Sequence, residues 1–158
     1  MSTIDTPFVL APARLWDAPR LAQMSGQLIE RELARRWTAR RVADALSDSE
    51  TAGVVSRSAG ATIGFALMVH DFPNREAHLL LLAVEQGERR RGLGRALVEW
   101  LEKTARVGGV RRFQLEVRAD DPGARAFYER LGYREVARLP GYYEGRLAAV
   151  RMTRTAQP

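Results

Sequence analysis

A pair of glycines set among arginines is the stretch of this chain best suited to chemistry. Arg89, Arg90, Arg91, Gly92, Leu93, Gly94, Arg95 and Ala96 follow the apolar run "HLLLLAV" and open a long amphipathic segment. Where a strand turns into a helix, free backbone N–H groups and the positive end of the helix dipole converge, and a pyrophosphate can be held by amides alone. Glycine at 92 and 94 lets the backbone approach phosphates with no Cβ in the way. Taken alone, strand, Gly-x-Gly and helix also describes an ordinary tight turn. A Rossmann fingerprint would need a third glycine where Leu97 stands, and a Walker A loop would need Gly-Lys-Ser/Thr, which the chain lacks.

Other chemistries are narrowed by composition. With no cysteine among 158 residues, disulfides, thiolate metal sites and an acyl-cysteine intermediate are excluded. His70 and His78 lack the spacing of a metal pair and read as ordinary strand residues, so no metal is expected. All but Lys103 of the 25 Lys+Arg are arginine, and the net charge is +6. Arginine forks suit phosphate and carboxylate ligands, although a GC-rich genome yields the same excess. The arginines are dispersed and no aromatic stacking platform accompanies them, which argues against a nucleic-acid partner. No secretory leader is visible and no apolar run approaches the roughly 18 residues that span a bilayer, so the expectation is a soluble cytoplasmic protein without a membrane partner.

The elements that must hold the turn follow from periodicity. Phe8 to Leu15 predicts an edge strand. Asp17 offers an N-cap and Pro19 a first turn to a helix whose apolar face is Leu21, Met24, Leu28, Ile29 and Leu33. A second helix opens at Thr38, turns Val42, Ala45 and Leu46 inward, and stops near 47–49. Gly53 to Ser58 and Thr62 to His70 form a hairpin across Ser58, Ala59 and Gly60. After a loop from Asp71 to Arg75, Ala77 to Val84 is apolar on consecutive positions, which predicts cover on both faces and a central place in a sheet. The helix after the glycine turn carries Leu93, Ala96, Leu97, Trp100, Leu101 and Ala105 on one stripe and ends at Gly108 and Gly109. Arg112 to Val117 is a strand. A short helix with an aspartate cap and Pro122 carries Phe127, Tyr128 and Leu131 and stops at Gly132; strands from Tyr133 to Arg138 and Leu147 to Thr153 close the chain. The order βααβββαβαββ predicts one α/β domain over 1–158, with 1–7 and 155–158 flexible. Its sheet is expected to be mixed parallel and antiparallel, of six to seven strands, with helices on both faces.

In that order the motifs resemble a known family. Arg89 through Gly94 fits Arg/Gln-x-x-Gly-x-Gly/Ala, and a long amphipathic helix, a Leu-Glu-Val strand and an "A-x-x-F/L-Y-x-x-x-G-F/Y" helix follow it. From roughly Ala77 to Met152 the chain is similar to the GNAT superfamily of N-acetyltransferases. Within it, "LEVRADDPGARAFYERLGY" and "GYY" are most similar to the RimI-like protein N-terminal acetyltransferases, which act on ribosomal-protein alanine.

The resemblance implies acetyl-CoA as co-substrate. It implies that the backbone of Leu82, Ala83 and Val84 bonds the pantetheine arm and that Arg89 through Ala96 cradle the pyrophosphate. Asp121 stands where the family usually has an asparagine that meets the coenzyme; read locally, it is a helix cap. Glu116, twelve residues before Tyr128, takes the place of the family's general base and Tyr128 that of its general acid. Tyr142 and Tyr143 correspond to an aromatic pair over the acceptor site. Without the resemblance, Glu116 reads as a solvent-facing strand carboxylate paired with Arg112 or Arg118, and the two tyrosines as exposed hairpin aromatics.

The expected function is direct acetyl transfer in a ternary complex to a primary amine, the amine of a protein N-terminus. A polyamine, an amino acid or an aminoglycoside is the alternative acceptor, and a non-catalytic acyl-CoA-binding domain the alternative class. A monomer and a homodimer are both compatible with the sequence.

Overall fold

The computed structural model describes residues 7–89 and 91–156. The strands are β1 (Val9–Pro12), β2 (Thr51–Ser58), β3 (Ala61–Asp71), β4 (Glu76–Val84), β5 (Arg112–Arg118), β6 (Arg134–Tyr143) and β7 (Leu147–Thr155). The helices are α1 (Ala18–Leu28), α2 (Ala39–Ser47), α3 (Leu93–Val107) and α4 (Pro122–Arg130). The order is the expected βααβββαβαββ, and the strands form one seven-stranded sheet in the order β1-β2-β3-β4-β5-β7-β6. β4 and β5 are parallel, whereas β1 with β2, β5 with β7 and β6 with β7 are antiparallel, as a mixed α/β sheet requires. The contacts group into two compact units, one taking in the described residues to Met68 and Leu81–Leu101, the other Val69–Leu80 and the residues from Glu102 on.

In the first unit the strands are sandwiched. A Cβ on Gly53 of β2 would meet Leu46 of α2 and Leu67 of β3, whereas one on Gly64 of β3 would meet Leu97 of α3. Positions 64 and 67 point to opposite faces of a strand, so α2 covers one face of β3 and α3 the other. Ile63 to Met68 are consequently buried without a break.

The expectation of two covered faces therefore belongs to β3, and for β4 it is corrected. β4 is central, yet its burial alternates: Ala77, Leu79, Leu81 and Ala83 are buried while His78, Leu80, Leu82 and Val84 are only partly covered. The leucines at 80 and 82 hid this alternation, because an apolar residue marks a face that can be buried rather than one that is.

Helix ends were set by side chains that the periodicity does not report. α1 stops at Leu28, short of the Leu33 expected on its face. Beyond it the buried Glu30 carboxylate accepts from Ser25 Oγ at 3.0 Å and from the Arg36 and Trp37 N–H groups at 2.6 and 3.1 Å, folding the loop back on the helix end. Asp17 does not cap α1; its Oδ2 accepts from the Arg14 N–H at 2.8 Å and its Oδ1 from Arg57 at 2.7 Å. Thr38 does cap α2, accepting from the Arg41 N–H.

In the second unit β6 runs on to Tyr143, past the Arg138 expected, across an irregularity between Leu139 and Tyr143. Glu102 of α3 is buried and takes both contacts of Arg154 of β7, at 2.9 and 2.6 Å. Of the segments expected to be flexible, 1–6 and 157–158 lie outside the described residues; Thr155 ends β7 and Ala156 is buried.

Candidate active site

The glycine turn lies in the first unit. The first bond of α3 runs from the Ala96 N–H to the Gly92 carbonyl at 3.0 Å, so the N–H groups of Leu93, Gly94 and Arg95 have no acceptor within the helix. Gly92 has φ of +77°, and a Cβ there would stand in open space. The turn thus combines bare donors, a helix dipole and room, which fits the anion inferred from the sequence. Its side chains are engaged with neighbours: Arg91 pairs with Glu88 and lies 5.6 Å from the Phe8 ring, and Arg95 pairs with Glu99 at 3.2 Å. The exposed Arg89 reaches the Val84 carbonyl at 3.4 Å. Arg90 lies outside the described residues. Leu93 is buried, and Leu82, Ala83 and Val84 end β4, with Ala83 buried.

A second constellation lies in the other unit, built on strand register. β4 and β5 run parallel with His78 opposite Gln114, and β5 and β7 antiparallel with Glu116 opposite Arg151. His78, Glu116 and Arg151 therefore share one face. The Glu116 side chain is 6% exposed; His78 Nε2 stands 3.0 Å and Arg151 Nε 3.9 Å from its Oε2, while the Tyr142 hydroxyl donates to Oε1 at 3.1 Å. Burial by itself would raise the Glu116 pKa, but the His78 contact and charge, then Tyr142 and Arg151, outweigh it and hold the carboxyl below its ordinary value. Glu116 is therefore ionised at neutral pH. The solvent-facing alternative is overturned: Arg112 pairs with Glu76 and Arg118 with Asp120, and the side chain is buried.

Tyr128 stands in the same unit, on α4 and 8% exposed. Its ring meets Phe127 and Tyr133 edge to face, with centroids 4.9 and 5.7 Å away. Burial, then the negative ends of Asp121 and Tyr143, push its pKa far up, so the phenol keeps its proton throughout the physiological range. Tyr143 is pushed up to about 12 by burial and by Tyr142 and Glu116; its ring packs on that of Tyr142 at 5.0 Å. Asp121 caps α4, its Oδ1 accepting from the Ala124 N–H at 3.0 Å. Four residues singled out by the sequence, Glu116, Tyr128, Tyr142 and Tyr143, thus fall within one electrostatic neighbourhood.

The described model of the acetyltransferase (GNAT) family matches residues 15–133. The chain belongs to the acetyltransferase (GNAT) family. N-alpha-acetyltransferase RimI of Mycobacterium tuberculosis is 30% identical over 144 residues, covering 89% of this chain and 88% of the relative. The ribosomal protein bS18-alanine N-acetyltransferase of Escherichia coli is 42% identical over 80 residues, 49% of this chain. In that match, and in one to a Methanocaldococcus jannaschii relative, the aligned stretch spans about half of the relative's length, 54%. The crystal structure of the Escherichia coli ribosomal-protein-S18-alanine N-acetyltransferase superposes with a TM-score of 0.82 at 27% identity, covering 96% of each chain. Arabidopsis thaliana NAA60 in complex with acetyl-CoA shares the fold, with a TM-score of 0.81 at 19% identity over 94% of this chain and 98% of that one.

Two members of the carboxylate cluster of this GNAT-family chain carry no local mark in the sequence. His78 reads as a strand residue beside four leucines, and Arg151 as one arginine among many. Only the pairing of β4, β5 and β7, which are far apart along the chain, brings them to Glu116. Among the described residues no helix is long and apolar enough to cross a membrane.

Proposed function

We propose that the protein transfers the acetyl group of acetyl-CoA directly to a primary amine in a ternary complex, and that the acceptor is the α-amine of a protein N-terminus. Acetyl-CoA supplies the activated thioester. The observation that carries the reading is Tyr128, a buried phenol that keeps its proton and neighbours an ionised carboxylate cluster, in a chain of this family.

Each residue then has a defined task. Tyr128 holds its hydroxyl proton ready for the departing sulfur. Glu116 takes the proton that the amine sheds. The N–H groups of Gly92, Leu93, Gly94 and Arg95 face the diphosphate, Ala96 closes the first turn of α3 behind them, and Arg89, Arg90 and Arg91 add positive potential. The backbone of Leu82, Ala83 and Val84 holds the pantetheine arm. Tyr142 and Tyr143 border the acceptor. Asp121 acts as a helix cap, and its negative charge makes it a poor partner for an anionic coenzyme. Without cysteine the chain has no thiol to carry the acetyl group, which favours direct transfer.

The named activities of the bacterial relatives favour an N-terminal acceptor, and so does elementary acid–base chemistry. An α-amine with a pKa of ~8 is about a tenth neutral at pH 7, whereas a lysine amine at ~10.4 is far less so. The test is thiol release from acetyl-CoA with three acceptors: a peptide with a free N-terminal alanine, the same peptide blocked at its N-terminus but containing lysine, and a polyamine. Release with the first alone is expected. Release with the polyamine but neither peptide would overturn the acceptor, and silence with every amine while acetyl-CoA binds would mean a non-catalytic acyl-CoA binder.

A further inference from the structure

Glu116 has a proton to dispose of after each transfer, and its surroundings restrict where the proton can go. Its side chain is 6% exposed, and Oε1 already accepts from the Tyr142 hydroxyl. Oε2 is buried and takes no hydrogen bond of good angle, although His78 Nε2 stands 3.0 Å from it, a distance fit for one. Arg151 faces the same oxygen at 3.9 Å, but a guanidinium accepts no proton. The His78 side chain is 34% exposed, so one edge of the imidazole meets Glu116 while the ring has access to solvent. His78 faces Glu116 of β5, beside Arg151 of β7 and Tyr142 of β6, with Gln114 as its register partner.

We propose that His78 is the proton relay of the acetyl transfer, taking the amine's proton from Glu116 through Nε2 and releasing it to water from Nδ1. The proposal rests on the acetyl-transfer reading. The amine N–H bond breaks and an O–H bond forms on Glu116. That O–H bond breaks as Nε2–H forms on a ring protonated at Nδ1, leaving an imidazolium beside a carboxylate. The imidazolium then gives its Nδ1 proton to water, and proton exchange between the part-exposed ring and water restores the Nδ1–H tautomer before the next turnover. No electrons change hands, and Tyr128, having given its proton to sulfur, regains one from solvent.

The test is His78→Gln, whose side-chain amide keeps a polar group beside Oε2 but relays nothing. With the acceptor peptide and acetyl-CoA, kcat should fall about ten- to hundredfold. KM for both substrates should stay within about twofold, and added imidazole should restore part of the rate in proportion to its concentration while leaving the wild type unchanged. An unchanged kcat would overturn the relay, as would a loss that imidazole does not rescue or that shows chiefly in the acceptor KM. Thermal melts establish that the variant is folded, and His78→Asn serves as the smaller substitute if it is not. A wild type that releases no thiol with any amine refutes the acetyl-transfer reading and the relay with it; wild-type turnover that His78→Gln preserves refutes the relay alone.

Discussion

In the proposed reaction the glycine turn and the Glu116 cluster meet the same need, holding charge at a fixed place, by opposite means. The turn is a backbone device: contiguous residues, donors contributed by N–H groups, and Arg91 and Arg95 paired with Glu88 and Glu99. The cluster is a side-chain device, with Glu116, His78, Arg151 and Tyr142 arriving from four strands. Chemistry carried by the main chain tolerates many side-chain changes but few changes of conformation. Chemistry carried by side chains has the reverse sensitivity.

Three substitutions sharpen that contrast. Tyr128→Phe removes one hydroxyl from the side-chain site and should lower kcat about 100-fold, with acetyl-CoA affinity by calorimetry unchanged; full turnover would remove Tyr128 from the mechanism. Gly92→Val strains the backbone site, since a β-branched residue at φ of +77° costs roughly 1–2 kcal/mol. Acetyl-CoA affinity should drop about tenfold, whereas Arg95→Ala, which breaks only an exposed i,i+4 pair, should leave that affinity within about twofold. Equal effects of the two would mean that the turn works through its side chains.

The smallest effect is one of pH. Because the folded-state pKa of Glu116 lies below the ordinary 4.5, its ionised form stabilises the fold above that value, and the contribution is lost as pH falls through the folded pKa. Urea denaturation of wild type and Glu116→Gln should therefore differ at pH 7 and converge on acidification below 4.5. A constant gap would show that the carboxylate's charge is not what its neighbours stabilise.

Much of this was legible locally. The diglycine pattern, the stripe of α3 and the Asp121-Pro122 start of α4 are set by neighbours within a turn or two, and each lies where the periodicity puts it. The ends of α1 and β6 were not legible, because Glu30 and the irregularity after Leu139 act through contacts that no periodicity records. β4 misled for a different reason: leucines on its half-covered face gave a buried pattern to a strand with one buried side.

By itself the sequence determined the order of elements, the turn before α3 and the family, since these depend on residue types at short spacings along one chain. Tertiary structure alone decided that Glu116 is buried rather than solvent-facing and that His78 and Arg151 meet one carboxylate. The reason is register: a sheet joins strands that are distant in sequence, and a shift of one residue would turn His78 or Arg151 to the other face.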